Sequence, residues 1–301
     1  MDMAAYYLHI LNSPTNMDPD SGGYFNNSAI FKASVLTVAF SSFYFYRTDK
    51  HNILFKPVIA TVDTAVVTVV KKEKPRAKKK KTIYLTFDDG PNKGTRALMH
   101  IINQENIPVT LFVIGEHVYG SKYQSAIYDS VSQNALFEIA NHSYTHAFEN
   151  KFEKFYAVPD SAVKDFIRCA DSLGLTTKII RTPGRNIWRT DSLSCTDLRN
   201  SMAAADSLQS KGFKAMGWDL EWHFNDQQRL VQTMQEMLNE VDSAFANNKT
   251  KMTDQLVLLA HDQVYANAED SASLQQFIFQ LKCKDEYNFE TVSKYPGIEK
   301  P

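Results

Sequence analysis

The feature that most restricts the fold is an alternation of short apolar runs with helical stretches, beginning at Thr82 and continuing almost to the carboxyl terminus. Strand-like runs lie at residues 83–87, 109–115, 136–141, 178–181, 213–218 and 256–261. Between them, residues 96–106, 161–173, 197–211, 229–245 and 271–282 read as helices, with Leu98, Ile101 and Ile102 sharing one face of the first. Residues 288–292 are a candidate closing strand. Strands alternating with helices imply βα units and a parallel sheet, and so an α/β fold. A barrel slightly smaller than the eightfold one fits the length of this segment. An open doubly wound sheet is the alternative, but no Gly-x-Gly-x-x-Gly follows the first strand.

The chain ahead of this segment divides by composition. Residues 1–28 are polar and contain Pro14 and the Gly22-Gly23 pair. Residues 29–47 contain an uncharged run at 33–46, which is 14 residues long, against the roughly 20 of a spanning helix. It is expected to be a signal anchor or an export signal behind an extended start, with a buried helix or strand as the alternative. Residues 48–81 are expected to be a stalk and basic linker. Lys56, Pro57 and Asp63 interrupt an otherwise Val- and Thr-rich stretch, and residues 71–81 then hold eight basic residues and one Glu. That run carries +7 of a net charge of −1, leaving −8 for the remainder. A nucleic-acid partner is not expected, because a basic surface would rest on that run alone. Cys169, Cys195 and Cys283 are far apart, with no Cys-x-x-Cys spacing. They are read as buried thiols, with one disulfide left open.

From residue 82 to 301, the chemistry-bearing residues collect where the apolar strands end. The first strand closes in Thr86-Phe87-Asp88-Asp89-Gly90-Pro91. Two adjacent carboxylates on a strand point to opposite faces, and each raises the cost of ionising the other. At a turn through Gly90-Pro91 both can reach one pocket, where one binds a metal ion and the other acts as a base. Alone, the same residues are ordinary turn chemistry. The third strand runs into His142-Ser143-Tyr144-Thr145-His146, and histidines four apart share a face if that segment is helical. The fourth leads to Arg181-Thr182-Pro183-Gly184-Arg185, the fifth to Trp218-Asp219-Leu220-Glu221-Trp222, and the last to His261-Asp262. In a parallel barrel all carboxyl strand ends open on one face, so these groups are expected to converge.

The order, spacing and content of these five stretches resemble the polysaccharide deacetylases of the NodB-homology class, carbohydrate esterase family 4, over roughly residues 80–296. The resemblance implies a distorted (β/α) barrel of about seven parallel strands, preceded here by the N-terminal hydrophobic segment and basic linker. It implies a hydrolase that removes N-acetyl groups from a glycan. Asp89, His142 and His146 are then the expected ligands of a divalent ion, most often Zn2+, with Asp88 as base and His261 as acid. Arg181 is expected to hold Asp88 ionised, Glu221 or Asp219 to orient His261, and a backbone amide near Gly184 to stabilise the oxyanion. Pro183, Gly184 and Arg185 are expected at the substrate, with Leu259 and Trp222 walling a pocket for the acetyl methyl.

Two positions depart from the family pattern. Gly184 and Arg185 stand where an aromatic residue and a Gly or Asn usually follow the proline, and Glu221 stands where an Asp is usual. Arg185 is accordingly a candidate for steering the site toward an anionic glycan. An O-deacetylase, another amidohydrolase or a catalytically dead carbohydrate-binding barrel remain as alternatives. The expected setting is the bacterial cell envelope, with the catalytic domain membrane-anchored or exported and an N-acetylated glycan as partner.

Overall fold

In the computed structural model, which describes residues 80–298, strand β1 (Lys81–Gly90) occupies the middle of the sheet. The expected polar start, signal anchor and stalk, with most of the basic linker, lie outside the described residues. Among the described residues no helix is long and apolar enough to cross a membrane.

Parallel ladders join β1 to β2 (Val109–Val113) on one side and to β9 (Gln255–His261) on the other. Beyond β2 come β3 (Phe137–Asn141), β4 (Ile179–Ile180) and β7 (Lys214–Ala215), all parallel. Beyond β9 lies β8 (Leu220–Glu221), also parallel, and β10 (Tyr287–Phe289) pairs with the start of β1. The strand order is β6-β5-β7-β4-β3-β2-β1-β9-β8, where β5 (Ile187–Arg189) and β6 (Ser194–Thr196) form an antiparallel hairpin on the outer edge of β7.

This order dictates a curled sheet. Strands β7 and β8 stand six steps apart, which would be about 29 Å in a flat sheet at ~4.8 Å per step. Only residues 216–219 connect them, and five peptide units reach no more than about 18 Å. The sheet therefore bends round until its ends approach. The result is barrel-like but mixed. The antiparallel β5 takes the edge of β7 on which a closing parallel strand would pair, and no ladder joins β7 to β8 among the described residues.

Side-chain alternation on β1 and β9 separates structure from chemistry. Ile83, Leu85 and Phe87, with Leu256, Leu258 and Ala260, point outward into the main core. There they meet α1 (Thr95–Glu105), α8 (Met234–Ala246) and α9 (Ala268–Cys283), which contribute Leu98, Val241 and Phe277. The intervening residues point inward. Tyr84 and Val257 join an inner cluster with Phe112, Trp188 and Tyr295, and the same faces then end in Asp88 and His261, which are paired in register. A second outer cluster packs α6 (Pro159–Leu173) and α7 (Met202–Ser210) against β4 and β7 through Phe166, Leu208 and Ile180.

Several elements differ from the sequence expectation. The hairpin β5–β6, strand β8 and helices α2 (Gly115–Val118) and α3 (Lys122–Ser132) were not anticipated. Helix α8 starts at Met234 rather than at residue 229, because Thr233 and Glu236 form a reciprocal capping box there. Cys169 is buried as expected, but Cys283 is exposed at the end of α9, and all three thiols are free.

Candidate metal centre and the cavity around it

The two adjacent aspartates reach one site because the strand is broken between them. Asp89 has a φ of 74°, and the β1–β2 register shifts between Asp88 and Gly90. A bulge of this kind re-aims one side chain without ending the strand. Asp88 thus keeps the inward direction of Tyr84 and Thr86, while Asp89 is turned back toward the same space. The peptide bond from Gly90 to Pro91 is cis.

Residues 142–146 do not form an α-helix, and the two histidines meet by another route. His142 follows β3 directly, and Ser143 has a φ of 68°. His146 opens α4 (His146–Asn150), a single left-handed turn in which all five residues have φ between 47° and 65°. Asp165 holds its entry, its carboxylate accepting from the Tyr144 and Thr145 amides at 3.0 and 3.1 Å. The rings of His142 and His146 end with centroids 5.1 Å apart.

One donor atom from each of Asp89, His142 and His146 lies within 4.8 Å of the others. Asp89 Oδ1 sits 3.5 Å from His142 Nε2 and 3.3 Å from His146 Nε2, and it is buried without a hydrogen-bond partner. The far nitrogens are engaged. His142 Nδ1 lies 2.9 Å from the Arg181 carbonyl oxygen, and His146 Nδ1 lies 2.5 Å from Asn150 Oδ1. A carbonyl only accepts, so Nδ1 of His142 carries the proton and Nε2 offers its lone pair inward. Burial opposes the charge of Asp89, but the close His142 imidazole, with those of His146 and His261, outweighs it and holds the carboxyl well below its usual range. Burial, then the neighbouring His142, pushes His146 down to about 4. An ionised carboxylate, a neutral imidazole and an orphaned buried oxygen facing two lone pairs fit a divalent cation.

Asp88 belongs to a different network. Arg181, wholly buried at the end of β4, donates from Nη1 to Asp88 Oδ1 at 2.9 Å and to Thr86 Oγ1 at 2.7 Å. Its other nitrogens donate to the Met216 and Gly217 carbonyls at 3.1 and 3.0 Å, and its plane lies 4.2 Å from the Phe112 ring centre. Those contacts fix the guanidinium and leave Asp88 Oδ2 toward His142 Nε2 at 3.6 Å.

These groups open into a cavity of about 630 Å³, with His261, Leu259, Gly184 and Glu221 on its wall. Trp222 does not line it. Alternation along β8 aims Glu221 at the cavity and therefore Trp222 away, so its indole is buried against Phe277 and donates to the Gln232 carbonyl. Trp218 lines the cavity in its place. Asp219 cannot orient His261, since its two oxygens accept from the Lys251 and Val257 amides at 2.7 and 2.8 Å and it lies level with Val257, four residues short of His261. Glu221 has its Oε1 3.4 Å from His223 Nδ1 rather than on His261. His261 Nδ1 is buried without a partner, and Phe224 packs on the ring at 4.9 Å. Pro183 is buried behind the loop, its carbonyl accepting from Tyr156 at 2.7 Å. Arg185 turns back over Phe152 and Tyr156 and donates to the Gly184 carbonyl, so it meets the cavity only through Phe152. Apart from its histidines, the cavity is lined by acidic and uncharged side chains, Glu116 and Glu149 among them, and by no Lys or Arg. That lining does not favour the anionic glycan expected from Arg185.

Sequence reasoning missed His117, whose Nδ1 lies 2.9 Å from the Asp89 carbonyl oxygen. The signal was present, because it follows an apolar strand as the other site residues do. Phe152 and Phe224 carried no such signal, since Phe152 opens a short helix, α5 (Phe152–Ala157), and Phe224 lies in an irregular segment, neither directly after an apolar run.

The profile of the polysaccharide deacetylase family matches residues 75–190. A peptidoglycan-N-acetylglucosamine deacetylase of Bacillus cereus is 27% identical over 216 residues, covering 71% of this chain and 70% of that one. A bifunctional xylanase/xylan deacetylase of Cellvibrio japonicus is 25% identical over 201 residues, 66% of this chain and 25% of that one. The chain spans from 10% to 70% of the length of the curated relatives it matches. Among solved structures, the catalytic domain of a peptidoglycan N-acetylglucosamine deacetylase from Eubacterium rectale superposes with a TM-score of 0.52 at 21% identity, over 80% of this chain and 97% of that one. That likeness speaks for the fold. The profile match runs from the linker to the end of β5, and so takes in Asp88, Asp89, His142, His146 and Arg181, the residues that the fold gathers into one site. Over residues 75–190 the chain matches the polysaccharide deacetylase family, and the clustered site residues lie within that span.

Proposed function

We propose that this chain is a metal-dependent hydrolase that removes N-acetyl groups from a glycan built on N-acetylglucosamine-type sugars. The observation that carries the reading is Asp89 Oδ1, buried, without a hydrogen-bond donor, and facing two imidazole nitrogens at 3.3 and 3.5 Å. Two imidazole nitrogens and one carboxylate oxygen are a donor set that would suit Zn2+. Asp89, His142 and His146 would hold the ion, which supplies Lewis acidity for the amide carbonyl and for water.

The chain's own residues then divide the proton transfers. Asp88 Oδ2, left open by the Arg181 contact on Oδ1, takes the proton of the attacking water. Arg181 keeps that carboxylate ionised and aimed. The Gly184 amide, without a hydrogen-bond partner among the described residues, donates to the oxyanion. His261 delivers a proton to the departing sugar amine, which leaves poorly as an anion. Leu259 and Trp218 flank the space for the acetyl methyl, and Glu221 acts on His261 through the charge of the cavity rather than by contact.

Residues 82–301 would form the catalytic domain, with residues 29–47 as anchor or export signal and 48–81 as spacer, placing the activity in the bacterial cell envelope. Acetate release from N-acetylated chito-oligomers should be abolished by chelator and restored by zinc. No release from any N-acetyl glycan by zinc-loaded protein would overturn the reading. The similarity to a xylan deacetylase supports O-deacetylation as the second reading, and acetylated xylan as substrate in the same assay separates the two.

A further inference from the structure

Asp89 carries the strained backbone of the metal cluster's carboxylate. Its φ of 74° lies in the left-handed region, which a residue with a side chain keeps only where surrounding contacts fix it. Two contacts from outside the candidate ligands do so. The first comes from α2, whose opening amides, those of Gly115 and Glu116, donate to the Ser143 and Tyr144 carbonyls at 3.0 and 2.9 Å. That docks α2 against the segment between the two histidine ligands. Its His117 then reaches the Asp89 carbonyl oxygen with Nδ1 at 2.9 Å. A carbonyl only accepts, so this nitrogen carries the proton.

The second comes from the 3₁₀ turn after β9, Asp262–Ala266. Asp262 accepts from Asn92 and Thr95, and a Cβ added to Gly94 would collide with the Asp262 carbonyl oxygen. The turn is therefore seated directly on the loop that follows Asp89. Gln263, the next residue, lines the cavity and places Nε2 3.4 Å from Asp89 Oδ2. An ionised carboxylate offers no proton, so the amide must turn its nitrogen to Asp89. Gln263 Oε1 is buried without a hydrogen-bond partner and does not oppose that orientation.

The two oxygens of Asp89 are thus unequal. Oδ2 meets a donor that is not a ligand, while Oδ1 is left facing the two imidazole nitrogens. We propose that Gln263 and His117 are positioning residues for Asp89, restraining its second carboxylate oxygen and its carbonyl so that a single oxygen is presented to the metal ion. One oxygen and two imidazole nitrogens leave positions on the ion open for the reaction. The proposal rests on the metal-dependent reading and deepens it by assigning residues that tune the ion without touching it.

The test uses the full-length protein, stripped of metal and titrated with Zn2+ against a chromophoric chelator, then loaded with Co2+ for visible absorption. Co2+ absorbs more strongly at low coordination number than at high, so its spectrum reads whether Asp89 supplies one oxygen or two. Gln263→Met, similar in length but without a donor, should weaken Zn2+ binding by about 10- to 100-fold. It should also lower the cobalt absorptivity, as Oδ2 swings onto the ion. His117→Ala should weaken Zn2+ binding in the same sense, and His117→Asn, whose amide nitrogen can stand where Nδ1 stands, should restore it. The metal-free variants should unfold in one transition like the parent, which separates a misplaced ligand from a lost fold. A parental cobalt spectrum in Gln263→Met would overturn the positioning proposal and leave the deacetylase reading standing. Failure of the parent to bind either ion would overturn both.

Discussion

Asp88 and Asp89 are adjacent in sequence, yet their surroundings give them different work. Asp88 is almost wholly buried and shares Arg181 with Thr86, whereas Asp89 turns through a bulge to face two imidazoles. Removing the charge of one should leave the other's role intact. Asp88→Asn should retain zinc at near-parental affinity while acetate release falls by roughly 100- to 10,000-fold. Loss of zinc from that variant would mean that the two aspartates have exchanged roles. A third carboxyl, Asp262, ties the end of β9 to the loop after β1 by accepting from Asn92 and Thr95. Burial pushes its pKa up from 3.8 to about 7, against the lowering by those two hydrogen bonds. The folded protein therefore holds a proton that the unfolded chain releases between about pH 4 and 7. The stability from that proton is full below pH ~4 and is lost as pH rises through 7, by as much as ~4 kcal/mol. Denaturant unfolding of the parent and of Asp262→Asn across pH 4–8 should show this as a difference in slope. Parallel curves would remove the buried proton from the account.

At the scale of elements, the left-handed turn α4 is the segment that local propensity argues against. Its residues His146, Ala147, Phe148, Glu149 and Asn150 are all non-glycine with positive φ, a conformation costing roughly 1 kcal/mol or more per residue. The turn survives because Asp165 caps its entry, Phe148 packs on Phe155 and Asn150 meets His146. Glu149 is exposed and its φ is 56°, so glycine there should relieve strain without removing a core contact. Glu149→Gly is expected to stabilise the fold by about 0.5–1 kcal/mol, the steric relief exceeding the entropic penalty of glycine. A lower unfolding temperature for that variant would show that the glutamate makes a contact worth more than its strain. The same turn marks the limit of what the sequence discloses. The spacing of His142 and His146 was legible, and so was their meeting. The helix invoked to bring them together was not the means, because a run of left-handed residues is set by tertiary contacts and leaves no periodic trace. Strands β1, β2, β3, β4, β7 and β9 were visible as apolar runs, but the two-residue strand β8 is defined by its neighbours more than by composition. Trp222 shows the cost of that, since β8 had to be seen before its alternation sent this indole to the core and left the cavity wall to Trp218.

In the whole molecule, the sheet's curl makes the metal cluster a structural joint as well as a chemical one. Asp89 stands next to last in β1, His142 follows β3 and His146 stands on the turn beyond it, so an ion bound there links the centre of the sheet to the segment most expensive to hold in place. The unfolded chain offers these three groups from residues 89, 142 and 146 with no common geometry, so the ion binds the folded state by preference. Binding must then raise stability by mass action, about 4 kcal/mol at a free zinc concentration 1,000 times the dissociation constant. For a domain of this size that is an upward shift in unfolding temperature on the order of 10 °C. Calorimetry with zinc and with chelator should record the shift in the parent and in Asp88→Asn. The shift should be absent in Asp89→Ala and in His146→Ala. The two aspartate variants are the informative pair, because they stand side by side in the same strand and lose the same charge. Equal shifts in both would mean that the ion is held elsewhere. A shift that survives only in Asp88→Asn ties the ion to the carboxylate turned inward by the bulge, and through it the stability of the sheet to the chemistry at its mouth.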